Sequence, residues 1–239
     1  NMEQSPEHVI RVYEDPYRSA GAAAGRWIEF AALYLGVPLV LCFAAPPYFL
    51  LPVLWLAAAA VWGCLAFSRW PGRRRVLYAW DGTRPRLKIV LLRFAGAAPA
   101  LTLLLALHEP GALLGLPRRD PFLWGLVMVC YPLISVCPQG VVYRVFYEAR
   151  YAALFGANRR LSLVAGAAVF GIAHLPFRNP WALAFTFVGG LLFLSSYRAT
   201  GRVGLSNAEH ALYGDFLFTI GWGKYLYHGT QAMVEAVGG

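Results

Sequence analysis

Charge is scarce in this chain of 239 residues, and acidic charge is the scarcest. Only 14% of the residues are charged, with 21 Lys and Arg against 12 Asp and Glu, while 59% are hydrophobic. A soluble globular domain has about 25% charged residues. The composition therefore excludes an ordinary soluble domain and predicts an integral membrane protein with one membrane domain.

The chain also lacks the spacings of familiar metal and disulfide sites. Its four cysteines lie within or at the end of apolar runs, and neither CxxC nor HExxH occurs. The cysteines are therefore interpreted as small buried hydrophobic residues. No cofactor is expected, and the irregular spacing of the histidines and carboxylates makes a divalent metal the less favoured alternative. An internal repeat, which many transporters have, is also missing.

Long apolar runs make up most of the sequence, and about 20 apolar residues cross a bilayer as a helix. We predict an all-α, polytopic membrane helical bundle of about eight transmembrane helices. A single transmembrane domain over 27–228 would lie between a polar N-terminal segment, 1–26, and a C-terminal tail, 229–239. The apolar runs that predict these helices are 27–45, 48–67, 89–107, 122–137, 139–155, 161–175, 181–197 and 203–222.

The densest positive charge lies between two apolar runs, from Arg69 to Lys88. Such a loop is typical of the cytoplasmic side of a membrane and of contact with anionic lipids, and nucleic acid is not expected as a partner. Two predicted helices precede the loop and eight are predicted in all, so both termini should be cytoplasmic. The expected location is the inner membrane of a bacterium.

Ionisable residues interrupt the apolar runs in the second half of the chain. An ionisable group inside a bilayer is costly unless it is paired, so each is a candidate for function. A carboxylate beside histidines can activate a water and stabilise an oxyanion. We therefore expect one polar cavity, with the following candidate residues: Arg144, Glu148, His174, Glu209, His210 and Asp215. For Arg144 and Glu148, one helical turn apart, a simple ion pair is the alternative.

Three short patterns within about 120–228 resemble those of the CPBP family, which unites CAAX prenyl proteases with bacterial Abi-type proteins. The family patterns are a Glu pair followed by Arg, an aromatic residue followed by His, and a His followed usually by Asn. Phe170 and His174 match the second pattern. Arg144 ends the first and His210 begins the third. Tyr143 and Phe170 would then line the cavity.

The positions that depart from these patterns are the ones expected to carry out the chemistry. The resemblance implies an eight-helix intramembrane protease in which a first-motif Glu activates water. Gln139 and Gly140 occupy the two Glu positions, and Gly214 occupies that of the Asn. We interpret this as a pseudoprotease, as a protease with a relocated base, or as an engineered replacement of Glu by Gln.

If the protein is active, the resemblance implies a role for each remaining candidate. His174 and His210 would stabilise the oxyanion, and Arg144 would hold the nearby carboxylates. Glu148 or Glu209 would then have to serve as the base. The substrate would be a membrane-embedded or lipidated peptide. If it is inactive, the same cavity would bind such a peptide or a partner protein as a scaffold.

Overall fold

The computed structural model of the protein describes residues 20–44, 49–67, 76 and 79–226. This part of the chain is helical and contains no strand. It contains five helices that are long and apolar enough to cross a membrane, and a shorter apolar helix lies at Leu50–Cys64. The predicted all-α membrane bundle is thereby confirmed, and the chain is a multi-pass membrane protein.

Several predicted features lie outside the described residues. The predicted N-terminal segment is described only from residue 20, and the predicted tail, 229–239, is not described. Residues 69–75 and 77–78 of the loop from Arg69 to Lys88 are also outside, including Arg73. Lipid contact at this loop therefore stays a prediction.

The bundle is built from long helices joined by short helical segments. The short segments are Pro110–Ala112, Gly115–Arg119, Ala152–Phe155, Leu175–Phe177 and Gly223–Leu226. The long helices are α1, which is formed by Ala20–Ala31, the π-helical turn Ala32–Gly36 and Val37–Ala44; α2, Leu50–Phe67; α3, Arg84–His108; α4, Pro121–Arg150; α5, Arg159–Ile172; α6, Pro180–Thr200; and α7, Val203–Ile220.

Side-chain caps fix where three of these helices begin. Asp120 accepts a hydrogen bond from the Leu123 amide at the start of α4, at 2.8 Å. Asn158 and Asn179 cap α5 and α6 in the same way. Each cap satisfies a backbone N–H that has no partner within the helix, so these polar residues set the boundaries of apolar helices.

α4 joins two helices that the sequence predicted as separate, 122–137 and 139–155. The helix instead continues past Pro138, from Pro121 to Arg150, through two π-helical segments, Tyr131–Val136 and Val141–Phe146. The wider π turn leaves room for a proline and disturbs the regular hydrogen-bond ladder. The described residues therefore form one long helix fewer than the eight predicted.

Aromatic side chains from α1 and α2 bind the backbone of these two π-helical segments. The Tyr34 hydroxyl donates to the Val142 carbonyl at 2.8 Å. The Trp55 indole N–H donates to the Ile134 carbonyl at 3.0 Å. Because a backbone carbonyl inside a membrane needs a partner, these contacts fix α1 and α2 against the irregular part of α4.

The two ends of the bundle carry different contacts. Where α3 begins and α6 ends, Arg202 pairs with Asp81 at 3.0 Å and Arg198 pairs with Glu148 at 2.5 Å. At the opposite end, where α3 finishes, the His108 ring lies 5.0 Å from the ring of Trp181. Neighbouring helices therefore run antiparallel between these two ends.

The C-terminal end of the described chain lies away from the basic loop. Trp222 follows α7, and its ring stacks on that of His108 at 5.9 Å, so α7 finishes at the same end as α3. The prediction of a C-terminus on the same side as the loop required eight crossings. The fusion of two predicted helices into α4 removes one crossing from that count, and the side of the membrane on which the C-terminus lies stays a prediction.

α5 and α6 pack closely through small residues. A Cβ atom placed on Gly190 would lie 2.8 Å from the Cα of Ala167 and 3.2 Å from its carbonyl oxygen. Only a glycine therefore allows this approach of two helix backbones. Close packing of this kind is a common way for helices to associate inside a membrane.

Candidate site between α4 and α7

A chain of hydrogen bonds links α4 and α7 near the middle of both helices. The Arg144 Nη2 lies 3.1 Å from the His210 Nδ1, and the His210 Nε2 lies 3.0 Å from the Tyr131 hydroxyl oxygen. Arg144 is 2% exposed and His210 is 5% exposed. Both ring nitrogens of His210 are therefore occupied by protein partners in a buried setting.

The direction of this chain follows from the chemistry of Arg144. A guanidinium only donates hydrogen bonds, so the His210 Nδ1 must accept. The neutral imidazole then carries its hydrogen on Nε2 and donates it to the Tyr131 oxygen. The Tyr131 hydroxyl keeps its own hydrogen for a further partner. The order of donation therefore runs from Arg144 through His210 to Tyr131.

His174 follows the end of α5 and has the opposite arrangement of its ring nitrogens. Its Nδ1 lies 2.8 Å from the Phe170 carbonyl, which can only accept. In the neutral ring the Nε2 is then an acceptor. A neutral His174 thus offers a lone pair, whereas stabilising an oxyanion requires an N–H.

Two phenylalanines enclose Arg144 and His210. The Arg144 guanidinium lies over the rings of Phe170 and Phe193, 5.0 Å and 5.2 Å from their centroids. Phe193 also stacks on the His210 ring with a centroid distance of 4.5 Å. Cation–π contact with both rings thus stabilises the buried charge of Arg144, and electrostatic attraction to the Glu209 carboxylate adds to it.

The position where the family has its second Glu is filled by another side chain. A Cβ atom on Gly140 would overlap the carboxamide of Asn207, with 2.8 Å to its Cγ. Asn207 lies on α7, one turn before His210. A side chain at position 140 therefore requires Asn207 to move.

The position where the family has its Asn is filled in the same way. A Cβ atom on Gly214 would lie 2.6 Å from the Tyr131 Cζ. The Tyr131 phenol, which comes from α4, thus occupies the space that a side chain at position 214 would need. It also makes the hydrogen bond to His210.

A cavity of about 1540 Å³ adjoins these residues, and its wall is mostly apolar. All seven long helices, α1 to α7, contribute to it. No Asp or Glu is among the described residues that line it. Polar and aromatic side chains of the site that do line it are Tyr131, Ser135, Gln139, Tyr143, Phe170, His174, Phe193 and His210.

Gln139 provides an unpaired polar atom to this wall. Its Nε2 donates to the Ser135 hydroxyl oxygen at 2.7 Å, while its Oε1 is buried and has no hydrogen-bond partner in the part of the chain that the structure describes. The residue is 7% exposed. An unpaired buried acceptor is costly, so a donor at this point would be stabilising.

The predicted carboxylates lie apart from the two histidines. Glu148 pairs with Arg198 at 2.5 Å, so the alternative of an ion pair with Arg144 is wrong about the partner. Arg198 comes from α6 and reaches the α4 carboxylate from across the helix interface. Glu148 is not among the residues that line the cavity.

Glu209 and Asp215 also lie outside the cavity wall, contrary to the expectation of one shared cavity. Adjacent residues on a helix point about 100° apart, so Glu209 cannot face the same way as His210. It is fully buried, beside Ser196 and toward Arg93. Neither Glu148 nor Glu209 is thus among the described residues that line the cavity.

Metal ligands are not grouped in the residues that the structure describes. No three His, Cys, Asp or Glu side chains lie close enough together to hold an ion there. His174 and His210 both line the cavity, but no carboxylate joins them.

Sequence analysis missed two residues that shape the site, Asn207 and Tyr131. Asn207 lies three residues before His210, a helical spacing that places both on one side of α7. Tyr131, Ser135 and Gln139 recur every four residues along α4. Both signals were present in the sequence, but neither says which empty position the side chain fills.

The second half of the chain matches a known family. Residues 121–214 match the family described as type II CAAX prenyl endopeptidase Rce1-like. No curated protein and no solved structure was found to match the chain. The matched residues run from the first turn of α4 to Gly214, and they include Arg144, His174 and His210. This match supports the resemblance to CAAX prenyl proteases that the sequence patterns indicated for this part of the chain.

Proposed function

We propose that this protein is a non-catalytic member of its family, which holds a membrane-embedded or lipidated peptide of a partner protein in its cavity. One observation carries the proposal: none of the described residues that line the cavity is an Asp or Glu, and Asn207 fills the space beside Gly140 where the family's base would lie. Water activation needs a group that can accept a proton at this point. Gln139 cannot do so.

The surroundings of the two histidines support the same proposal. The His210 Nδ1 is bound by Arg144 and its Nε2 by Tyr131. The His174 N–H is bound by the Phe170 carbonyl. Neither neutral ring therefore has a free N–H for an oxyanion. The apolar wall, by contrast, suits a hydrocarbon chain or an apolar helix.

We further place the protein in the inner membrane of a bacterium, with the beginning of α3 at the cytoplasmic side. Arg84, Arg86 and Lys88 lie at this end of α3. The excess of Lys and Arg at cytoplasmic ends is a general property of membrane proteins. Anionic lipids are the partners that this charge would attract.

A proteolysis assay on purified protein in lipid, with membrane-tethered peptides, tests the absence of catalysis. We expect no cleavage by the unchanged protein or by Gly140→Glu, because Asn207 obstructs the new side chain. The double variant Gly140→Glu with Asn207→Ala provides both the carboxylate and the space. Cleavage by the unchanged protein that His174→Ala abolishes would overturn the proposal and support a relocated base.

Binding is tested with a palmitoylated peptide that carries a photoreactive group. Ala97 lines the cavity, whereas Ala95, on the same helix, is exposed and does not. We expect Ala97→Trp to lower cross-linking at least fivefold, because the indole fills part of the cavity, and Ala95→Trp to leave it unchanged. Equal cross-linking in both variants would show that the peptide binds elsewhere.

A further inference from the structure

We propose that the polar part of the cavity recognises an amide group of the ligand, with the Tyr131 hydroxyl donating to the ligand's carbonyl and Gln139 accepting its N–H. This inference rests on the proposed function, since it concerns the chemistry of what the same cavity holds. It goes further by assigning the binding contacts to residues that replace the family's catalytic groups.

The donor of this site is fixed by the direction of the chain through His210. Arg144 can only donate, so the neutral His210 must pass its remaining N–H to the Tyr131 oxygen. The Tyr131 O–H is then the last donor of the chain. Tyr131 lines the cavity, and its phenol takes the space beside Gly214. Successive hydrogen bonds also polarise one another, which makes this O–H a stronger donor.

The acceptors of the site are Gln139 and His174. The Gln139 Oε1 is buried and has no hydrogen-bond partner, although the residue lines the cavity. The neutral His174 has its hydrogen on Nδ1, bound to the Phe170 carbonyl, so its Nε2 also accepts. His174 lines the same cavity.

One donor and two acceptors in an otherwise apolar wall are complementary to a secondary amide. An amide has a carbonyl for the Tyr131 hydroxyl and an N–H for Gln139 or His174. An ester has the carbonyl alone, and a hydrocarbon has neither. Tyr131 and Gln139 lie two turns apart on α4, so the two contacts come from one helix and are held in a fixed relation.

Three photoreactive probes of equal chain length test this proposal: a secondary N-methyl alkanamide, the corresponding methyl ester and the corresponding hydrocarbon. Each is added to the full chain in nanodiscs at equal mole fraction in the lipid. Labelling of cavity residues is measured by mass spectrometry. We expect the amide to reach half-maximal labelling at a mole fraction about fivefold to tenfold lower than the ester, which corresponds to one additional buried hydrogen bond.

Variants separate the two contacts. Gln139→Leu removes the acceptor with little change of volume and should abolish the preference for amide over ester. Tyr131→Phe removes only the hydroxyl. It should weaken labelling by the amide and by the ester about fivefold, to nearer the level of the hydrocarbon probe. Tyr143→Phe is the matched control, because Tyr143 lines the same cavity outside the chain through His210. It should leave the order of the probes unchanged.

The outcomes distinguish this inference from the proposed function. Equal labelling of the cavity by all three probes would overturn amide recognition and leave the cavity's binding function intact. A loss in Tyr143→Phe as large as that in Tyr131→Phe would also overturn it. Absence of cavity labelling by every probe would overturn both proposals.

Discussion

Glycines at two helix interfaces accommodate different groups, a backbone at one interface and side chains at the other. At the α5–α6 interface, the space beside Gly190 is taken by the backbone of Ala167. At the α4–α7 interface, the spaces beside Gly140 and Gly214 are taken by the side chains of Asn207 and Tyr131. A substitution can remove an obstructing side chain, but it cannot remove an obstructing backbone.

This difference concerns Gly140 and Gly214, the two glycines at positions where the chain departs from the family's pattern. Between α5 and α6 a glycine is a requirement of packing, so no other residue fits. Between α4 and α7 the space beside each glycine is filled by a side chain of the facing helix. Where the family's pattern has a Glu and an Asn, the space is therefore filled in this chain by a carboxamide and a phenol from the facing helix.

Gly190→Ala should have the largest effect on stability. Its Cβ would lie 2.8 Å from the Ala167 Cα, so the two helices must separate. We expect a loss of about 2–3 kcal/mol in the free energy of unfolding. Unfolding in mixed detergent micelles measures it. A loss below about 1 kcal/mol would show that the interface can widen and would weaken the contrast between the two interfaces.

Gly214→Asn comes next, because it must displace the Tyr131 ring from its contact with His210. We expect a loss of about 2 kcal/mol for this variant alone. In the double variant with Tyr131→Ala, the loss in the free energy of unfolding should be about 1 kcal/mol smaller than the sum of the two single losses. Residues that compete for one space behave in this way. Strictly additive losses of stability would show that the side chain at position 214 and the Tyr131 ring do not compete for one space.

Gly140→Ala should have a smaller effect, about 1 kcal/mol, because the Asn207 carboxamide lies at the end of a rotatable side chain. Asn207→Ala should remove most of that loss in the double variant. The double-mutant cycle is measured by the same unfolding assay. If Asn207→Ala gives no relief, another group obstructs position 140, and the activity test of Gly140→Glu needs a different partner.

Gly96→Ala is the control for all three and has the smallest expected effect. Apart from its chain neighbours and the backbone of its own helix, no atom of the described residues lies within 4 Å of a Cβ placed at this position in α3. Alanine favours a helix over glycine, so we expect a gain of up to about 1 kcal/mol, measured by the same unfolding assay. A loss here would mean that glycine substitutions in this bundle destabilise for reasons unrelated to packing.

Much of the fold was predictable because the bilayer imposes it. A run such as 181–197 has too little polar character to stay in water, and its backbone must be satisfied within a helix. The fusion in α4 was not predictable from local signals. Pro138 is a helix breaker on its own, and the side chains that bind the backbone of the π-helical segments beside it include Tyr34 and Trp55, which come from α1 and α2.

The sequence by itself determined the membrane class, the family pattern around His174, and the loss of a carboxylate at Gln139 and Gly140. Only the tertiary structure decided what replaces that carboxylate. Asn207 is 67 positions from Gly140 in sequence, and Tyr131 is 83 from Gly214. Which side chain fills an empty position depends on how distant helices pack, because steric exclusion acts between atoms that are neighbours in space and leaves no mark on local sequence.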